Sequence, residues 1–383
     1  MTTAGIVRIT MTLAVMGMAT TGFSDEGSEA GGRAYPELHA AMERLKQEKP
    51  MTIAFFGGSI TWGATATDPL RTSWRARVEQ DLRTRYPRTP LTAVIAAIGG
   101  QPSKLGVFRM DRDVLPYKPD LCFVEFAVND WDAPDSQETM EGIVRKLRAC
   151  RPDMAVVLVL IGSNAAYDRS PSHPLQVALA AHYGLPVIDI YSAVKAKLGD
   201  DLTTRDILTD GCHPNDRGYR LYADIVIEQL DALAALTGPP KPAPAAPLTA
   251  NRYESARMVE LSKLPGLVGW EPGVPSVDGT WFDHTPSRWH DSTVRPSKAG
   301  AKIETEINAT GAGLYFELVP DGKPLVMKAD ESVHLEIKTV NSFAFARVSF
   351  AFKLFDAPGR RQLALEAPEG GPAAAAYLLV TGS

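Results

Sequence analysis

The chain has 383 residues, 45% hydrophobic and 22% charged, with a formal charge of −5; this is a globular composition and excludes wholesale disorder. The charge is mild and no Lys/Arg run is present, so a nucleic-acid partner is not expected. An odd count of three cysteines gives no disulfide framework, and the core must hold the fold.

At the N-terminus, Arg8 precedes the apolar run ITMTLAVMGMATTGF, after which the acidic DEGSEAGG follows. A positive start, a short apolar centre and a polar exit form the order of a secretory signal peptide, and the run is short for a membrane span. The expectation is a signal peptide over 1–24, cleavage near Ser24, and a secreted or periplasmic product without stable membrane association.

From residue 51 to about 236, apolar runs of strand length alternate with helical patterns. The strands read as Thr52–Phe56, Thr92–Ile98, Leu121–Val128, Ala155–Ile161 and Pro186–Ile190. They are apolar on both faces, as strands of a parallel sheet covered on both sides must be. Helices are expected over Trp74–Tyr86 and Ser136–Cys150, the second burying Met140, Ile143, Val144 and Leu147 on one face. A last helix follows the N-cap Asn215 and runs to about Leu236. The repeating order predicts a three-layer α/β/α sandwich over 25–237, with a mostly parallel five-stranded sheet. Such folds place their sites beyond the carboxyl ends of the strands.

The stretch 238–250, GPPKPAPAAPLTA, carries five prolines and reads as an extended linker. Beyond it, residues 251–383 alternate apolar and polar positions between Gly, Pro and Asp turns, the texture of an accessory β-sandwich. That region is either an independent module or a cover that shapes the site through Trp281, Trp289 or His290.

Four polar islands fall at strand ends or loops: GGSIT at 57–61, AAIGGQPS at 96–103, FVEFAVND at 123–130 and DGCHP at 210–214. Acyl transfer needs a nucleophile, a base, a carboxylate that orients the base, and donors for an oxyanion. Ser59 is the candidate nucleophile, His213 the base and Asp210 its orienting partner; the backbone of Ser59, Gly100 and the amide of Asn129 are the candidate oxyanion donors. Each residue alone has a plainer reading as a cap or turn, and their joint placement favours catalysis. Asp130 reads as a turn residue, Trp62 as pocket or packing, and Arg109 and Arg112 as partners of nearby acids. Cys212 reads as a small buried filler. His173, His182, His284 and His290 have no metal-ligand spacing, so neither metal nor cofactor is expected.

The same islands resemble the SGNH hydrolases, relatives of the GDSL lipases and esterases. GGSIT stands where those sequences have Gly-Asp-Ser-Leu, and DGCHP matches their Asp-x-x-His block. Gly58 departs from the commoner Asp, which points to a GGSIT-type subfamily. The resemblance covers 51 to about 230 and implies a flavodoxin-like sheet, a Ser59–His213–Asp210 triad, and an oxyanion hole from Ser59, Gly100 and Asn129. Export, the accessory domain and the resemblance together point to an acetylesterase acting on an acetylated carbohydrate. The alternatives are an acyltransferase, a lipid or thioester hydrolase, and a carbohydrate-binding protein with an idle hydrolase domain.

Overall fold

The computed structural model describes residues 34–130, 135–162, 170–242, 244, 246–276, 290–341 and 347–382; the expected signal peptide, Trp281, His284 and Trp289 lie outside them. The first part of the chain forms α1 (Pro36–Lys46), β1 (Met51–Gly57), α2 (Ser59–Trp62), α3 (Trp74–Arg85), β2 (Leu91–Ala97), α4 (Ser103–Asp113), β3 (Leu121–Glu125), α5 (Ser136–Cys150), β4 (Ala155–Leu160), α6 (Ser172–Tyr183), β5 (Val187–Asp189), α7 (Ile190–Lys197), α8 (Thr204–Ile207) and α9 (Asp216–Ala235). The five strands pair in parallel in the order β2-β1-β3-β4-β5.

Alternate residues of each strand feed opposite cores, which is why these runs lack polar positions. Ile53, Phe55, Leu121 and Phe123 pack with Leu38, Trp74, Tyr222 and Val226 on one face. Ala54, Phe56, Cys122 and Val124 pack with Leu105, Phe108, Ile143 and Leu147 on the other. Within the register, Gly57 of β1 stands between Ala97 of β2 and Glu125 of β3. The strand order reverses at β1, so the segments leaving β1 and β3 diverge there and open a crevice. Strand β3 is shorter than the apolar run predicts: the N–H groups of Asn129 and Asp130 turn back to the carbonyl of Phe126, at 3.0 and 2.9 Å. Phe126, Ala127 and Val128 are buried all the same, so apolarity continues past the strand.

The C-terminal part contains β6 (Arg257–Glu260), β7 (Leu267–Val268), β8 (Trp270–Gly273), β9 (Thr293–Pro296), β10 (Ala301–Leu318), β11 (Leu325–Ala329), β12 (Ser332–Ile337), β13 (Arg347–Ala367) and β14 (Ala374–Thr381). They form one antiparallel network, β12-β11-β13-β10-β14-β9-β8, with β6 added on β14 and β7 on β10. Ile303 and Leu314 would lie roughly 36 Å apart on a straight strand. Both nevertheless line one small cavity with Met327, Leu363 and Leu378. The long strands therefore wrap, with a register shift in β10 between Ala309 and Gly311, and the two facing layers share β10 and β13.

This β region is not suspended from a free spacer. Along the preceding segment, Lys241 donates to the carbonyl of Ala181. The backbone N–H groups of Leu248 and Thr249 donate to Glu141 at 2.6 and 2.8 Å, and the Arg252 guanidinium pairs with Glu138. Beyond these, Tyr253, Ala256, Tyr315, Tyr377 and Leu379 complete the same apolar cluster as Phe108, Ile143 and Leu147. The Phe108 ring lies 4.8 Å from Phe352 and 6.2 Å from Tyr253, centre to centre. The β region thus covers the α4–α5 face with a continuous core. His290 is buried inside the β region, 2.8 Å from Glu317.

Candidate active site

Ser59 opens the single turn of α2 directly after β1 and is buried. Its Oγ lies 2.9 Å from Nε2 of His213, and Nδ1 of His213 lies 2.7 Å from Oδ2 of Asp210. The carboxylate can only accept, so Nδ1 carries the proton and Nε2 accepts from the serine hydroxyl.

Local chain chemistry fixes this arrangement. Oδ1 of Asp210 accepts the N–H groups of Cys212 and His213 at 3.1 and 2.8 Å, closing a turn that carries the ring to the carboxylate. Thr209 N–H donates to the carbonyl of His213 at 2.8 Å. Asn215 then caps α9 by accepting from Arg217 and Gly218, so the histidine loop is anchored at both ends. Partial burial works against a charged Asp210, but the N–H and imidazole of His213 outweigh it and hold the carboxyl below its ordinary range. It remains the anion that a protonated imidazole needs.

Asn129 lies against the residue preceding the serine. A Cβ on Gly58 would fall 2.1 Å from Asn129 Oδ1, so glycine at position 58 is what allows the amide this close. Gly100 follows β2 in the left-handed region, at φ +69°, with its backbone exposed. Ser59, His213 and Asp210 are joined by hydrogen bonds, Asn129 by contact with Gly58, and Gly100 stands on the adjoining strand end.

Other sequence candidates have packing roles. Asp130 is buried and accepts from the N–H of Ser103, the first residue of α4, at 2.9 Å. Trp62 is half-buried, with the Arg75 guanidinium 5.6 Å from its ring centre. Arg109 and Arg112 both pair with Asp113. Arg109 also donates to the carbonyls of Ala96 and Gly57 at 2.8 and 3.0 Å, fastening the ends of β1 and β2 beneath the serine turn. Cys212 is half-buried, and burial pushes its thiol up to about 11. Sequence reasoning does not single out Glu125, although an acid inside FVEFAVND is a visible signal. Its carboxyl is buried and takes the Thr61 hydroxyl at 2.8 Å.

Residues 55–221 match the GDSL-like lipase/acylhydrolase family. The α/β domain belongs to it. Among solved structures, a two-domain esterase active on acetylated mannans, co-crystallised with mannopentaose, is 24% identical. The match covers 92% of this chain and 96% of that one, with a TM-score of 0.74. A second structure of such an esterase gives 23%, 92%, 97% and 0.74 for the same measures. A lipase/acylhydrolase from Enterococcus faecalis is 22% identical and covers 50% of this chain and 100% of that one, with a TM-score of 0.39. A comparison with curated proteins gives no significant match. The two-domain likeness extends over both the GDSL-like domain and the β region and shows a shared architecture.

Proposed function

We propose that this protein is an exported serine esterase that removes acetyl groups from a polysaccharide through an acyl-enzyme on Ser59. The observation that carries the proposal is the hydrogen-bonded series Ser59–His213–Asp210 at the mouth of the parallel sheet. In the first step Ser59 Oγ bonds to the ester carbonyl carbon while its proton passes to His213 Nε2. Asp210 stabilises the imidazolium through Nδ1–H. The negative carbonyl oxygen is received by the N–H groups of Ser59 and Gly100 and by the Asn129 amide. Collapse expels the sugar alkoxide, which leaves with the imidazolium proton. Water, deprotonated by the same imidazole, then releases acetate and restores Ser59.

The substrate class is supported by the architecture shared with an esterase active on acetylated mannans. Export is supported by the N-terminal pattern of Arg8 and the apolar run behind it. The test is acetate release from acetylated mannan, acetylated xylan and 4-nitrophenyl acetate by the wild type, Ser59→Ala and His213→Ala. Losses of about 10³-fold or more in kcat are expected in both variants, with a fluorophosphonate adduct on Ser59 only where the serine remains. Wild-type rates in Ser59→Ala would overturn the mechanism. Release from the aryl ester with none from either polysaccharide would overturn the substrate class.

A further inference from the structure

Glu125 is the last residue of β3, beside Gly57 in the sheet register, and is 1% exposed. Its Oε2 accepts the Thr61 hydroxyl at 2.8 Å, and the backbone N–H groups of Gly58 and Thr61 face the carboxyl and favour its charged form. These donors bracket Ser59, one residue before it and two after. The carboxyl is therefore the fixed point around which the serine turn is folded. Thr61 is wholly buried.

The other carboxyl oxygen, Oε1, is buried without a partner, and among the described residues no lysine or arginine pairs with Glu125. Among the described residues Cys212, Tyr219 and Asp130 interact with it electrostatically and none of these three is a cation, while Arg109, whose guanidinium donates to the carbonyl of the adjoining Gly57, is paired with Asp113. A carboxyl buried without a cation favours its neutral form. Burial indeed raises this group to about 7, against the pull of the Thr61 hydroxyl and the two N–H donors. A neutral clamp also suits the chemistry, because a full negative charge beneath the serine turn would oppose the charge that builds on the substrate oxygen.

We propose that Glu125 is a positioning residue that clamps the Gly58–Thr61 turn and so holds Ser59 Oγ within reach of His213. The inference rests on the esterase reading of Ser59. Glu125→Gln keeps an oxygen for the Thr61 hydroxyl and cannot ionise, whereas Glu125→Leu removes the acceptor. With the full-length protein and 4-nitrophenyl acetate, Glu125→Leu is expected to lose roughly 10²-fold in kcat with KM little changed, as a small displacement of a reacting group does. Glu125→Gln is expected to stay within about threefold of wild type below neutral pH, and to lack the decline in kcat expected of the wild type as Glu125 ionises. Thr61→Val, close to isosteric, removes one donor and is expected to lower kcat about threefold to tenfold, which keeps the test intact if Glu125→Leu does not fold. Phosphonylation of Ser59 by a fluorophosphonate, followed by intact mass, should slow in the same order.

Wild-type kcat in folded Glu125→Leu, or equal losses in the Leu and Gln variants, overturns the clamp while leaving the esterase reading intact. Wild-type kcat in Thr61→Val also counts against the clamp. If the wild type itself neither hydrolyses the ester nor takes the phosphonate, the esterase reading fails and the clamp fails with it.

Discussion

Replacing Asp130 by Asn should make the protein progressively more stable than wild type as pH rises. Asp130 is 2% exposed; one oxygen accepts from Ser103 and the other has no partner. Burial raises its carboxyl from 3.8 to about 7, with the neighbouring carboxyls of Glu125 and Asp135 adding to the rise and the N–H and hydroxyl of Ser103 opposing it. The unfolded chain releases this proton near 3.8 while the folded chain keeps it to about 7. The stabilising contribution is therefore complete below the lower value and lost as pH climbs through the interval. The slope is about 1.4 kcal/mol per pH unit, so the whole interval amounts to about 4 kcal/mol. The amide introduced by Asp130→Asn mimics the neutral acid and does not titrate; groups not coupled to Asp130 cancel in the difference between the two proteins, and Glu125, which is coupled to it, adds in the same direction. Urea unfolding at four pH values from about 4.5 to 7.5 should show the variant gaining on wild type at each step and levelling above about 7. A difference independent of pH, or one that narrows, would refute the reasoning.

Two further perturbations address the turn and the join between the two parts of the chain. Gly58→Ala places a methyl group 2.1 Å from Asn129 Oδ1 and should displace the amide, lowering kcat on 4-nitrophenyl acetate by about 10²-fold while KM changes little; an unchanged kcat would remove Asn129 from the oxyanion role. Phe108→Ala removes a ring packed against Phe352 and Tyr253 and should cost about 3–5 kcal/mol in urea unfolding. Loss of a single cooperative transition is not expected, because the core that Phe108 joins is continuous between the two parts.

The bounds of α5 are legible because its apolar positions recur at helical spacing, and the structure has Ser136–Cys150 as a helix. The strands are legible for the opposite reason, since runs with no polar side can only be covered on both faces. Ser59, His213, Asp210, Gly100 and Asn129 draw notice because polar or glycine-rich islands interrupt those runs. Glu125 does not, because one acid at the end of an apolar strand looks like a residue turning toward solvent; only the fold of the next turn brings Thr61 onto it. The pairing of Arg109 with Asp113 follows from helix spacing, but its reach to Gly57 depends on which strand lies beneath the helix. The wrapping of β10 leaves no mark, since a bent strand alternates like a straight one. Phe108, Tyr253 and Tyr377 read as ordinary core residues, and nothing local reveals that they meet across the proline-rich stretch.

That shared core decides how a polymer would meet the protein. A module on a slack tether explores many angles, and its benefit is set by linker length through the local concentration it creates. Here Glu141, Glu138 and the Phe108 cluster fix the β region against α4 and α5, so any surface it offers has one bearing relative to Ser59. Lengthening the proline-rich stretch would then change little, whereas a small rotation at the aromatic join would swing the far end of a bound chain away from the serine. Under the proposed esterase reading, the two parts would form a fixed corner, not a hinge, and that corner would set where along a polysaccharide Ser59 falls.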